Sequence, residues 1–307
     1  MYYFIVNVSS RTGKAKKIWE KVQQELKKRE VIYEAYLTEY KGHATELAKK
    51  LTAEAGKRVS LIVVGGDGTA NEVLNGICDF NNTEIGLIPT GSGNDLGRGL
   101  GLSGALEEQL DRIFVKKQLR QVDLGEVSWD QGAGKRIFAI SSGIGLDAQV
   151  CKKALSARIK KVLNAMHLGS LTYVFLTVET LFTMQTARAE IDYPDGRVTD
   201  LHHMICTAVM NLPYEGGGVP MAPDASFTDG KLSICSISEI PKWRTFFCLP
   251  RLVCGKQEGI QGFRMKEEPE FMLRLDKKMI VHADGEDCGM HSELTYRCLP
   301  GALHLIG

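Results

Sequence analysis

Val63-Val64-Gly65-Gly66-Asp67-Gly68-Thr69-Ala70-Asn71-Glu72 and, one short segment later, Ile88-Pro89-Thr90-Gly91-Ser92-Gly93-Asn94-Asp95-Leu96 repeat one pattern. An apolar run (61–64, then 85–88) ends in a glycine-rich turn, and a helix-compatible stretch follows. Glycines let a backbone approach an anion closely, and amides at a helix N-terminus point at it. Each turn also carries a carboxylate, Asp67 in the first and Asp95 in the second. A carboxylate repels a polyphosphate unless a divalent cation lies between them, so the matched pair points to a Mg-nucleotide site.

Working outward, residues 2–8, 31–37, 59–64 and 85–88 read as strands, and 12–29, 43–54, 70–77 and 104–115 as helices. Apolar positions recur on one helix face, as with Ile18, Val22 and Leu26, or Ala44, Leu47, Ala48 and Leu51. Nearly all-apolar strands alternating with helices predict a parallel, Rossmann-like α/β sheet covered on both faces. Such sheets bind ligands outside the carboxyl ends of their strands. Asn7-Val8-Ser9-Ser10 and both glycine turns occupy such ends. After Arg120 the pattern changes to short strands at 121–127, 136–141, 186–193, 201–211, 232–237, 271–275 and 279–283. These predict an antiparallel sandwich or barrel with helical insertions. The expected division is a nucleotide-binding α/β domain over 1–120 and a β domain over 121–307, with the tail free to return to the first.

Composition narrows the class. At 307 residues the chain exceeds what one core sustains comfortably. Its 44% hydrophobic and 24% charged residues are ordinary for a globular protein. A net charge of +1 exerts no whole-protein pull on nucleic acid or an anionic membrane, so nucleic acid is not an expected partner and membrane docking falls to a local patch. The eight cysteines lack C-x-x-C or metal-like spacing and read as buried, reduced thiols. Met1-Tyr2-Tyr3-Phe4-Ile5-Val6 reads as a strand, without the basic and apolar regions of a signal peptide, which predicts a cytoplasmic protein.

Gly65-Gly66-Asp67-Gly68-Thr69, then Gly91-Ser92-Gly93-Asn94-Asp95, and late in the chain Asp284-Gly285-Glu286 resemble the diacylglycerol and sphingosine kinase catalytic family, in its soluble bacterial branch. NAD kinases and phosphofructokinases share the first turn, whereas the second turn and the late Asp-Gly-Glu favour the lipid kinases. The resemblance implies a phosphofructokinase-like first domain, a β-sandwich second domain, and an active site in the cleft between them. It also implies ATP as phosphoryl donor and Mg2+ as cofactor. Around the nucleotide it places Asn7, Ser10 and Thr38, the turn residues Gly65, Gly66, Asp67, Gly68 and Thr69 with Asn71 and Glu72, and Gly91 with Ser92. The first-strand loop departs from the family's Asn-Pro-x-Ser-Gly, since Val8 replaces the Pro and Arg11 the closing Gly.

Further roles carry over by resemblance. Asp67, Asp95 and Asp123 join in a water-mediated Mg network. Ser226, Asp229 and Lys231 surround a second, structural Mg. Glu286 is the base that takes the acceptor's proton, with Asp284 in support. Plainer roles stand beside these: Asp67 as a turn former, Asp95 as a helix cap, Asp123 as a solvent-facing strand residue, Asp229 as a turn residue, and Asp284-Gly285 as a hairpin turn. His202-His203 and His282 with Asp284 lack a third ligand at a sensible spacing and read as polar strand residues.

Residues 168–184 form the most apolar run, but its 17 residues include Glu179 and fall short of the ~20 that a membrane span requires. Upstream lie Lys152, Lys153, Arg158, Lys160 and Lys161, a basic cluster without neighbouring acids in sequence. Trp243, Phe246, Phe247, Leu249, Leu252 and Val253 form a second apolar stretch bordered by Lys242, Arg244 and Arg251. Together they predict an apolar cleft with a basic rim, peripheral at the inner membrane face. The expectation is an ATP- and Mg-dependent kinase of a diacylglycerol-like lipid. A kinase of a soluble alcohol such as NAD and a non-catalytic nucleotide sensor are the alternatives, and a homodimer is left open.

Overall fold

A computed structural model describes residues 1–9, 14–54, 56–155 and 169–307. In the first lobe, strands β1 (Tyr2–Val6), β2 (Tyr33–Leu37), β3 (Val59–Gly65) and β4 (Thr83–Pro89) lie parallel in the order β2-β1-β3-β4. Helices α1 (Lys14–Lys28), α2 (His43–Thr52), α3 (Asp67–Leu74), α4 (Asp95–Gly99) and α5 (Leu106–Asp111) connect and follow them. Successive strand side chains point to opposite faces. Ile5, Leu61, Val63 and Ile85 accordingly pack with Ala44, Leu47, Ala70 and Val73 on one side. Phe4, Val6, Ile62 and Val64 pack with Trp19, Val22, Leu26 and Leu110 on the other. Both faces are covered, which is why these strands read as unbroken apolar runs.

The second lobe is a β-sandwich built of β5 (Leu119–Trp129), β6 (Gly134–Phe138), β7 (Ser141–Gly145), β8 (Ala187–Asp192), β9 (Val198–Met204), β10 (Cys206–Met210), β11 (Leu232–Ile237), β12 (Phe263–Glu268), β13 (Glu270–Ala283) and β14 (Glu286–Ile306). Helices α6 (Leu146–Leu155), α7 (Gly169–Thr183) and α8 (Lys242–Val253) are inserted between strands. Pairing within this lobe is antiparallel, in the order β12-β11-β10-β7-β13-β14. A separate core gathers Phe138, Ile144, Val209, Ile234, Phe271, Leu273 and Tyr296.

Strand β14 joins the lobes. It pairs with β13, then with β5, and His304–Ile306 finally run parallel beside Glu84–Gly86 of β4. The two lobes therefore share one continuous mixed sheet, and the tail finishes in the first lobe. Several expected strands are redrawn. Segment 136–141 divides between β6 and β7, and 201–211 between β9 and β10, where His203 at φ 51° turns the chain. Segments 271–275 and 279–283 fuse into β13 across a register shift. The expected helix 70–77 begins three residues earlier, at Asp67.

Leu305 is fully buried in the first lobe's core although it belongs to the last strand of the second. Leu305→Ala should lower unfolding stability by about 2–5 kcal/mol, the usual range for truncating a buried leucine. Urea melts followed by tryptophan fluorescence measure this, and a cost near zero would mean that the tail does not hold the first lobe.

Candidate active site

The two glycine turns pack back to back at the carboxyl ends of β3 and β4. A Cβ on Gly91 would stand 2.6 Å from the Gly66 Cα, and one on Gly66 would stand 3.0 Å from the Gly91 Cα. Any side chain at either position would wedge the turns apart. Asp67 and Asp95 flank Gly93, where a Cβ would meet the Oδ2 of Asp67 at 3.2 Å and that of Asp95 at 3.5 Å. The structure thus brings together the carboxylates of the two motifs.

Each carboxylate also has local work. Asp67 accepts the backbone N–H groups of Asp95 and Leu96, both at 3.2 Å, and so caps α4 from the neighbouring turn. Burial pushes its carboxyl up to about 6, against the pull of those two N–H bonds, and the charges of Asp95 and Asp284 add to the rise. Asp95 pairs with Arg98, and its Oδ2 accepts the Gly217 N–H at 2.7 Å. Gly217 belongs to a run of three glycines, 216–218, with φ of 62°, 88° and 104°, conformations that L side chains resist. That run and Arg98 were visible in the sequence, but only the fold shows them against Asp95.

Asn7, at the end of β1, reaches the same place. Its Nδ2 donates to Thr69 Oγ1 at 3.0 Å and its Oδ1 accepts the Ser9 N–H at 3.0 Å. Thr38 follows β2, with its N–H on Val6 O, beside Asn7. Ser92 sits exposed in the second turn. Ser10 and Arg11 lie outside the described residues. Two expected nucleotide contacts face elsewhere. Glu72 accepts the N–H groups of Gly42 and Ala44 and caps α2. Asn71 turns its side chain to the second lobe, donating to Ile137 O and Asp284 Oδ2 and accepting from Arg136.

Asp284 and Gly285 form the two-residue turn between β13 and β14, as the hairpin reading expects. The Asp284 carboxylate accepts four hydrogen bonds, from the backbone of Ala139, Ile140 and Ser141 and from Asn71 Nδ2, at 2.8–3.0 Å. Its lone pairs are spent on holding structure. Glu286 differs. Its Oε1 would lie 3.4 Å from a Cβ placed on Gly68, so the carboxylate overlooks the first glycine turn. Lys41, in the loop after β2, pairs with Oε2 at 2.6 Å. Sequence reasoning missed Lys41, and its place after a strand's carboxyl end was the available signal.

Asp123 is buried. Its Oδ2 accepts the Gly230 N–H and its Oδ1 the Gly301 N–H, both at 2.7 Å. Among the described residues its carboxylate bonds run to these loops and not toward Asp67 or Asp95. It thereby braces the loop of Ser226, Asp229 and Lys231, in which Asp229 Oδ1 accepts the Lys231 N–H at 3.0 Å and Ser226 Oγ lies 3.3 Å from Thr228 Oγ1. The reading of His282 as a plain polar strand residue is corrected. The ring is buried, with Nε2 2.5 Å from Asp147 Oδ2, and Cys151 lies close by. His202 and His203 remain exposed on β9.

The expected basic rim is also revised. Lys152 pairs with Asp287 at 3.0 Å and Lys153 with Glu179 at 2.7 Å, partners distant in sequence. Arg158, Lys160 and Lys161 lie outside the described residues. Helices α7 and α8 instead present an aromatic face. Phe175, Phe182, Trp243 and Phe247 are all more than half exposed, and the Arg244 guanidinium lies 5.8 Å from the Trp243 ring centroid. Among the described residues no helix is long and apolar enough to cross a membrane.

Residues 1–127 match the family described as the diacylglycerol kinase catalytic domain, and residues 143–307 that described as the YegS C-terminal NAD kinase beta sandwich-like domain. YtlR of Bacillus subtilis (strain 168), which bears a lipid kinase name, is 30% identical over 292 residues, covering 94% of this chain and 94% of that one. A protein named diacylglycerol kinase from the same strain is 27% identical over 255 residues, covering 81% of this chain and 79% of its own. The crystal structure of a diacylglycerol kinase from Bacillus anthracis str. Sterne superposes with a TM-score of 0.71 at 20% identity, covering 99% of this chain and 96% of that one, a likeness that carries the fold. With both lobes matched and a relative aligned along nearly its full length, the chain belongs to the diacylglycerol and lipid kinase family and is a phosphotransferase.

Proposed function

We propose that the protein transfers the γ-phosphoryl group of ATP to a hydroxyl of a diacylglycerol-like lipid, with Mg2+ as cofactor. One observation carries this reading: Glu286 holds a carboxylate oxygen over Gly68, in the turn that would cradle the phosphates. An alcohol hardly ionises at neutral pH, so a positioned carboxylate that takes its proton late in transfer lowers the barrier. The glycine turns leave backbone open to an anion, and Thr69 and Asn7 border it.

Asp67 and Asp95 fit a divalent cation. Asp67 is half-buried near another carboxylate, and desolvation with that neighbouring charge pushes its carboxyl up to about 6, which marks a group short of positive charge. These two residues would hold Mg2+, which when bound supplies charge to stabilise the transferring phosphoryl group. Arg98, on Asp95, and Lys41, on Glu286, keep cationic side chains at the same rim. The acceptor would enter from the second lobe, and the α7–α8 aromatic face would rest on the bilayer that contains it.

Glu286→Gln keeps shape but cannot take a proton. It should lower kcat by about 10²–10⁴-fold and leave Mg-ATP affinity nearly unchanged, as read from radiolabel transfer to mixed lipids and, separately, to NAD. A loss confined to nucleotide binding would make Glu286 a nucleotide or cation contact, and transfer to NAD alone would replace the lipid as acceptor.

Cation binding needs Asp67 ionised, while the free carboxyl titrates near 6. Affinity for Mg-nucleotide should therefore level off above that pH and fall below it by about tenfold per pH unit, a proton competing with the metal. Asp67→Asn, measured alongside, should bind weakly and lack this component of the slope, which separates it from the nucleotide's own titration. Identical slopes would remove Asp67 from the cation site.

Replacing Trp243 and Phe247 by Ser should reduce co-sedimentation with anionic vesicles while leaving the melting temperature near that of the parent, because both side chains are exposed. Unchanged sedimentation would return this face to an ordinary surface.

A further inference from the structure

The reach of Glu286 depends on the turn before it. Both central residues of a two-residue hairpin of this kind take positive φ, and here Asp284 has 49° and Gly285 80°. The Gly285 N–H donates to His282 Nδ1 at 3.1 Å. The other ring nitrogen, Nε2, lies 2.5 Å from Asp147 Oδ2. Gly143 makes the room. A Cβ there would stand 1.8 Å from that oxygen and 2.6 Å from Nε2. Beside Asp147 lies Glu215, also buried, with Oε2 lacking a hydrogen-bond partner among the described residues. Burial and the charge of Asp147 hold the Glu215 carboxyl well above the usual range.

We propose that His282 is a positioning residue for phosphoryl transfer: protonated on Nε2 alone and braced by Asp147, its bare Nδ1 holds the Gly285 N–H and thereby sets Glu286 over Gly68. The proposal rests on Glu286 as the base. Two other states of the ring conflict with its neighbours. Asp147 outweighs burial and draws the imidazole upward to about 9, but a second proton would set an Nδ1–H against the Gly285 N–H. Donor against donor, the turn could not keep its present hydrogen bond. A metal ion shared by Asp147, Cys151 and His282, whose ligand atoms lie within 4.8 Å of one another, would take the Nε2 lone pair and move the proton to Nδ1, with the same conflict. The neutral ring carrying its proton on Nε2 satisfies Asp147 and Gly285 together.

Three measurements on the full chain test this. In the parent protein at neutral pH, the ¹⁵N resonances of the His282 ring should show one protonated and one bare nitrogen, with no change on adding Zn2+. His282→Asn places an oxygen where Nδ1 was, and should keep kcat close to the parent value. His282→Gln reaches toward Asp147 but leaves Gly285 without its acceptor. It should lower kcat by about 10–100-fold, the scale of a misplaced catalytic group, at unchanged KM for Mg-ATP. Equal losses in the Asn and Gln variants, full activity in the Gln variant, or two protonated ring nitrogens would overturn the positioning role. The ring spectrum decides even where a variant fails to fold. Glu286→Gln serves as the control: full activity there would sink the base assignment itself, whereas its loss beside an active His282→Gln would sink only this inference.

Discussion

The structure turns on one carboxylate, that of Asp284, whose oxygens are taken up by the scaffold. Asp284 sits at φ 49°, a left-handed conformation that a non-glycine residue adopts at some cost. Four accepted hydrogen bonds hold it there, three from successive backbone amides of the second lobe and one from Asn71 of the first. Removing any donor would leave buried charge less compensated, and hydrogen bonds to an ionised acceptor are worth about 1.5–3 kcal/mol each. Asn71 also receives Arg136 and donates to Ile137 O. The lobes are thus tied at the point where the hairpin presents Glu286, and the strain in the turn is balanced by the clamp beneath it.

A second constraint is steric. Gly66 and Gly91 touch through their Cα atoms, so the β3 and β4 turns can approach only because neither carries a side chain. That closeness lets Asp67 cap α4 while standing beside Asp95, and it concentrates negative charge where a phosphate would lie. Burial is the main reason that the Asp67 carboxyl is raised, and the charges of Asp95 and Asp284 add to it.

The parallel half of the fold was legible because each buried strand is a continuous apolar run ended by a glycine turn. Strand β14 was not. Gly289 and Pro300-Gly301 look like breakers, yet the register shift between Leu299 and Leu303 accommodates the latter pair. Strand β12, Phe-Arg-Met-Lys-Glu-Glu, was hidden by the charges that suit a sheet edge. At the site, the two glycine-turn motifs pointed to Asp67 and Asp95, and the family resemblance pointed to Glu286. Neither could show that Glu72 caps α2, that Lys152 and Lys153 are neutralised from elsewhere in the chain, or that His282 meets Asp147. Those facts depend on partners brought in by tertiary folding, and local pattern carries no record of them.

Hydrogen-bond valence separates carboxylates that motif alone would treat alike. A carboxylate can accept about four hydrogen bonds. Asp284 has accepted four, so its oxygens are taken up by the scaffold, whereas Asp123 has one amide on each oxygen and differs from Asp67 in direction, its bonds running to the loops at Gly230 and Gly301. Asp67 has one N–H on each oxygen and retains capacity for a cation. Glu286 has Lys41 on one oxygen and the other facing Gly68. A proton acceptor must have an unspent lone pair within reach of the reacting group. Of the acids gathered at this interface, Glu286 meets that condition on the side where the first glycine turn lies. The hairpin that carries its half-buried carboxylate is held at Asp284 by four hydrogen bonds and at Gly285 by His282.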